Sequence, residues 1–118
     1  MEERIFLYGT LRPGQAPREI ADAVSRLRRI DSGSVRGRLY DLGAYPGVVL
    51  DDSASEVRGE VFAMPNSDTL AQMDAYEGFY PGDAPASLFL RVKTVVALEN
   101  APSEVCWVYV YNGPLPGR

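Results

Sequence analysis

Val57-Arg58-Gly59-Glu60-Val61-Phe62-Ala63 decides the fold. Its valines and phenylalanine suit a half-buried pleated surface, yet a glycine sits in the middle. Glycine inside a strand marks a bulge, a bend or the close approach of another backbone. Gly37 gives the same signal within residues 34–42, a second stretch that reads as a strand. Bends of this kind let a small sheet curl on itself. Outward from there, residues 4–8, 48–50, 88–98 and 105–111 complete the strand set. In residues 88–98, Leu88, Leu90, Val92, Val96 and Leu98 share one face, and Phe89, Arg91 and Lys93 the other. In residues 105–111, Trp107, Tyr109 and Tyr111 alternate with Cys106, Val108 and Val110.

Two helices interrupt the strands. Pro17 opens a predicted helix over 17–29, with Ile20, Val24 and Leu27 at helical spacing and Gly33 closing the unit. Arg26, Arg28 and Arg29 read as its solvated end, where cations suit the helix dipole. The second helix runs over 68–77, with N-caps available at 66–68 and Gly78 as the C′ residue. Leu70, Met73 and Glu77 fall on one stripe, so Glu77 extends the apolar face. This order predicts an α+β fold: a curled mixed β-sheet or small barrel with flanking helices, in one domain over residues 1–118.

Composition excludes several chemistries. The 118 residues carry a net charge of −4, which argues against a nucleic-acid footprint. There is no histidine, so imidazole bases, Ser-His-Asp triads and histidine metal sites are ruled out. The single cysteine, Cys106, forms no internal disulfide and reads as a small buried hydrophobe. The charged start and the short apolar run at 5–8 predict no signal peptide and no membrane span, hence a cytoplasmic protein.

Among polar residues, Glu77 stands out. A carboxylate at the negative end of a helix dipole and beside Leu70 and Met73 should titrate high, in the range of a general base. The plainer reading is a surface glutamate in a helix-ending turn. Asp74 reads first as a solvent-side carboxylate, although it can share the neighbourhood of Glu77. Tyr8-Gly9-Thr10-Leu11 is either an ordinary strand-to-loop turn or a nest of backbone N–H groups for a carboxylate ligand, with the Thr10 hydroxyl adding to it. Arg12 either pairs with that ligand or lies on the surface. Tyr45 packs or lines a cleft at a turn over 43–47. Trp107, Tyr109 and Tyr111 suit a core, and a buried tyrosine hydroxyl needs a partner, Glu77 or a ligand among them.

These residues carry a resemblance to the γ-glutamylcyclotransferase-like family, which includes the AIG2-like proteins. The matching segments are Tyr8-Gly9-Thr10-Leu11-Arg12, Gly37-Arg38-Leu39-Tyr40 leading to Tyr45-Pro46-Gly47, Val57-Arg58-Gly59-Glu60-Val61-Phe62, Met73-Asp74-Ala75-Tyr76-Glu77-Gly78 and Trp107-Val108-Tyr109-Val110-Tyr111. The resemblance implies conversion of a γ-glutamyl amide into 5-oxoproline and a free amine. It also implies Glu77 as general acid/base and the 8–11 loop around the substrate's α-amino acid end. Arg12, Tyr45 and Tyr109 join the expected substrate site. The substrate's own amine is the nucleophile, so the reaction calls for no metal and no cofactor. The expected partner is a small γ-glutamyl molecule, with no nucleic acid and no membrane, in a monomer or a dimer. One departure is Phe89-Leu90-Arg91, where the family often has tyrosine before the arginine. A domain of the same fold that binds without turnover is the alternative.

Overall fold

A computed structural model describes residues 3–8, 17–18, 20–43 and 46–115. The strands are β1 (Glu3–Leu7), β2 (Arg28–Asp41), β3 (Pro46–Leu50), β4 (Glu56–Met64), β5 (Phe89–Leu98) and β6 (Glu104–Tyr111); the helices are α1 (Ala21–Ser25) and α2 (Ser67–Glu77). The sheet order is β3-β2-β4-β1-β6-β5, and β2 also pairs with β5. That extra pairing closes β2, β4, β1, β6 and β5 into a five-stranded barrel and leaves β3 outside it. β1 and β6 run parallel and the other pairs antiparallel, so the sheet is mixed as expected.

The glycine signals mark where the wall bends. Gly33 of β2 faces both Gly59 of β4 and Leu98 of β5, at the closure of the ring. A Cβ on Gly59 would collide with the Leu7 carbonyl oxygen and the Phe6 ring, so β1 and β4 approach closely only because that atom is missing. Strand alternation then sends side chains to two cores. Phe6, Val35, Val57, Val61, Val96, Cys106 and Val108 pack together on one face of the wall. Ile5, Leu7, Phe62, Met64, Phe89 and Tyr109 pack on the other, against Val24 of α1 and Met73 of α2.

The predicted helix over 17–29 is corrected. Among the described residues of this stretch only Ala21–Ser25 is helical, and Arg28 already belongs to β2. Ile20, Val24 and Leu27 are buried as their spacing suggested. Pairing of Arg28 with Ala63 and Arg29 with Phe62 draws this segment into the sheet instead. Gly33 therefore lies within a strand, and Arg28 and Arg29 are strand residues; Arg29 pairs with Glu60 at 2.6 Å. Two boundaries also move. β3 begins at Pro46, inside the expected turn, and β5 begins at Phe89, leaving Leu88 exposed.

α2 matches its expected span closely. The Asn66 side chain accepts the Thr69 N–H at 3.0 Å. At the other end Gly78 is left-handed with φ 72°. Its N–H reaches the Ala75 carbonyl, and the Phe79 N–H reaches the Asp74 carbonyl at 2.9 Å, the Schellman pattern. The Gly78 carbonyl then accepts the Leu88 N–H at 2.9 Å, tying the helix end to the start of β5.

Candidate active site

Glu77 is the last residue of α2, half-buried on the side where β1 and β6 lie adjacent. The Leu70–Met73–Glu77 stripe faces inward: Met73 is fully buried and Leu70 packs on the same core. Burial pushes the Glu77 carboxyl up to about 7. A carboxylic acid at that value exchanges its proton near neutral pH, the property a general acid/base needs.

Two phenols share this region. Tyr8, just beyond β1, donates its hydroxyl hydrogen to the Tyr109 carbonyl at 2.6 Å and accepts the Val48 N–H at 3.1 Å. Its burial raises the hydroxyl above the ordinary tyrosine range; the Val48 contact works against this and the Glu77 charge adds to it. Tyr109 is buried, and its hydroxyl donates to Asp74 Oδ1 at 2.7 Å. Burial, then the hydrogen bond to Asp74, holds that hydroxyl far above its ordinary value. The expected tyrosine partner for a site carboxylate exists, but the carboxylate is Asp74.

Asp74 itself corrects the expectation of a solvent-side residue: it is 6% exposed. Arg91 Nε donates to Asp74 Oδ1 at 2.7 Å and Arg91 Nη2 to Oδ2 at 3.1 Å, a bidentate pair. The guanidinium carbon lies 4.2 Å from the Trp107 ring centroid and 5.4 Å from that of Phe79. Sequence reasoning did not single out Arg91 for the site. The available signal was its alternation with Phe89 and Lys93, which set a charge on the face that meets α2.

Phe89 is buried and stacks edge-on against Tyr111 at 5.6 Å between centroids. Gly9, Thr10, Leu11, Arg12 and Tyr45 lie outside the described residues. Tyr8, Glu77 and Tyr109 are brought together: the Glu77 charge acts on both phenols. A cleft of about 670 Å³ opens elsewhere, where β2 meets β5. Glu56 and Glu60 line it but are already engaged by Ser34 and Arg29, and no residue of the Glu77 region takes part.

The molecule is thus a small α+β protein: a closed mixed barrel with a half-buried carboxylic acid at a helix end. The chain belongs to the family described as gamma-glutamyl cyclotransferase, AIG2-like, which matches residues 5–118. A Vibrio cholerae protein named "Putative gamma-glutamylcyclotransferase" is 33% identical over 112 residues, covering 95% of this chain and 84% of that one. An AIG2-like protein from Mus musculus superposes with a TM-score of 0.74 at 22% identity, over 98% of this chain and 80% of the other. YkqA from Bacillus subtilis superposes with a TM-score of 0.72 at 19% identity; 95% of this chain is covered and 36% of YkqA, so the chain spans about a third of that protein. Among the described residues no helix is long and apolar enough to cross a membrane.

Proposed function

We propose that this protein is a γ-glutamylcyclotransferase-type enzyme that converts a γ-glutamyl amide, peptide or amine into 5-oxoproline and the free amine. The observation that carries the reading is the place of Glu77, a half-buried carboxylic acid at the end of the apolar stripe of α2, where burial pushes its carboxyl up to about 7.

The substrate supplies the nucleophile. Its α-amine attacks the γ-carbonyl carbon, a C–N bond forms, and the carbonyl becomes an oxyanion. Glu77 takes the proton from the attacking ammonium and returns it to the leaving nitrogen as the amide C–N bond breaks. One group of raised pKa serves both transfers. Folding the substrate so that amine and carbonyl meet is an orientation effect and needs a shaped cradle. Residues 8–11 and Arg12 take the α-carboxylate, and N–H donors there stabilise the oxyanion. Tyr45 and Tyr109 complete the walls. The lone, disulfide-free cysteine suits the reducing cytoplasm.

The test is release of 5-oxoproline from a panel of γ-glutamyl amino acids, peptides and amines. At least one member should turn over, kcat/KM should rise through about pH 7, and Glu77→Gln should lower it by about 10²–10⁴-fold. Thermal stabilisation by 5-oxoproline without turnover of any member would favour the binding domain instead.

A further inference from the structure

Beside Glu77 lies a second carboxylate that the reaction above does not use. Asp74 precedes it by three residues on α2, so the two side chains are neighbours on one helix face. Two carboxylates that close, in a partly buried place, ordinarily repel until one keeps its proton. Arg91 removes the conflict. Its fork closes on both Asp74 oxygens at 2.7 and 3.1 Å, and the Tyr109 hydroxyl adds a third donor at 2.7 Å. The guanidinium in turn lies over Trp107 and beside Phe79, which fixes its plane. The charges of Asp74, Glu77 and Arg91 all act on the Tyr109 hydroxyl, the two acids in one sense and the arginine in the other.

Building on the reading of Glu77 as the base, we propose that Asp74 and Arg91 are its positioning residues: their ion pair locks the last turn of α2 onto β5 and β6 and cancels, at Glu77, the charge that Asp74 alone would impose. Burial is the cause that raises the Glu77 carboxyl. Among the described residues, the Glu77 charge reaches Tyr8 beyond β1 and Tyr109 on β6, while Asp74 lies three residues back on the same helix and is held by Arg91 of β5.

The test reads Glu77 directly, without turnover. The side-chain carboxyl of ¹³C-labelled Glu77, assigned by its disappearance in Glu77→Gln, is titrated by NMR in the parent protein, D74N, R91Q and R91K. D74N leaves the arginine charge uncompensated, so the Glu77 midpoint falls. R91Q leaves two acids that titrate as a coupled pair, and the last proton leaves later. Each displacement is on the order of one pH unit. R91K keeps the charge and stays near the parent.

Opposite displacements are the signature. Mere loosening of the helix end would expose Glu77 and lower both midpoints, and that result, or no movement in either variant, overturns the proposal. Should R91Q not fold, the D74N/R91Q double variant replaces it: return to the parent midpoint supports charge cancellation, and a value as low as D74N alone refutes it. Because the titration needs no substrate, it can succeed while the 5-oxoproline assay fails, or the reverse.

Discussion

The Tyr8 hydroxyl donates to the Tyr109 carbonyl oxygen at 2.6 Å, joining residues 101 positions apart. The Tyr8 phenol oxygen in turn accepts the Val48 N–H at 3.1 Å. One phenol just past β1 thus ties into the middle of β3 and into β6, near the carboxyl that closes α2. Tyr8→Phe removes the donor to Tyr109 and orphans the Val48 N–H. Urea unfolding should show a loss of about 1–3 kcal/mol. A change below about 0.5 kcal/mol, typical of an idle surface position, would mean that the phenol does not hold these strands.

Glu77 should also write a pH dependence into stability. Its carboxyl is at about 7 in the folded chain, against about 4.3 when unfolded. The folded state therefore holds the proton more tightly. That contribution is complete below the unfolded value and is lost as pH rises through the folded one. At about 1.4 kcal/mol per pKa unit the full loss approaches ~4 kcal/mol. Glu77→Gln cannot ionise and should lack the slope. Melting curves of both proteins between about pH 5 and pH 8 check this, since the gap between them must open toward high pH. Parallel curves would place Glu77 in water.

Gly59→Ala should be among the costliest single-methyl changes in the chain. Its Cβ would press on the Leu7 carbonyl and lie 2.8 Å from Phe6 Cζ. Relief requires β1 and β4 to part within a closed ring. A loss of about 2–4 kcal/mol is expected in denaturant unfolding. An alanine variant as stable as its parent would show that the two strands do not approach this closely.

Cys106 should be inert to thiol reagents in the native protein. It is 1% exposed, and burial, with the Glu104 charge added, pushes its thiol up to about 11. The thiolate is the reacting species, so modification should wait for unfolding. Colour from a disulfide reagent should appear only in denaturant. Reaction of the folded protein at the rate of free cysteine would contradict the packing.

Elements governed by neighbours in the chain were legible. The Asn66 cap, the Gly78 stop and the Leu70–Met73–Glu77 stripe are local patterns, and α2 follows them. The alternation of Cys106, Val108 and Val110 against Trp107, Tyr109 and Tyr111 likewise separates the two cores. Residues 17–29 misled because their apolar spacing was real but their fate was set elsewhere. Arg28 and Arg29 pair with Ala63 and Phe62, and that ladder outweighs weak helical propensity. Asp74 misled for a related reason. A helix-surface aspartate is ordinarily solvated, and Arg91, 17 residues ahead, with the Tyr109 hydroxyl makes its burial tolerable.

The sequence by itself determined that this chain curls a mixed sheet and sets one carboxylate on the apolar stripe of a capped helix, because periodicity and caps act within a turn or two of backbone. Tertiary structure alone decided that β2 meets β5 to close the barrel, that Tyr109 serves Asp74, and that Arg91 balances it. Those pairings join positions far apart in the chain, and their energies depend on distance and desolvation that exist only once the strands have come together.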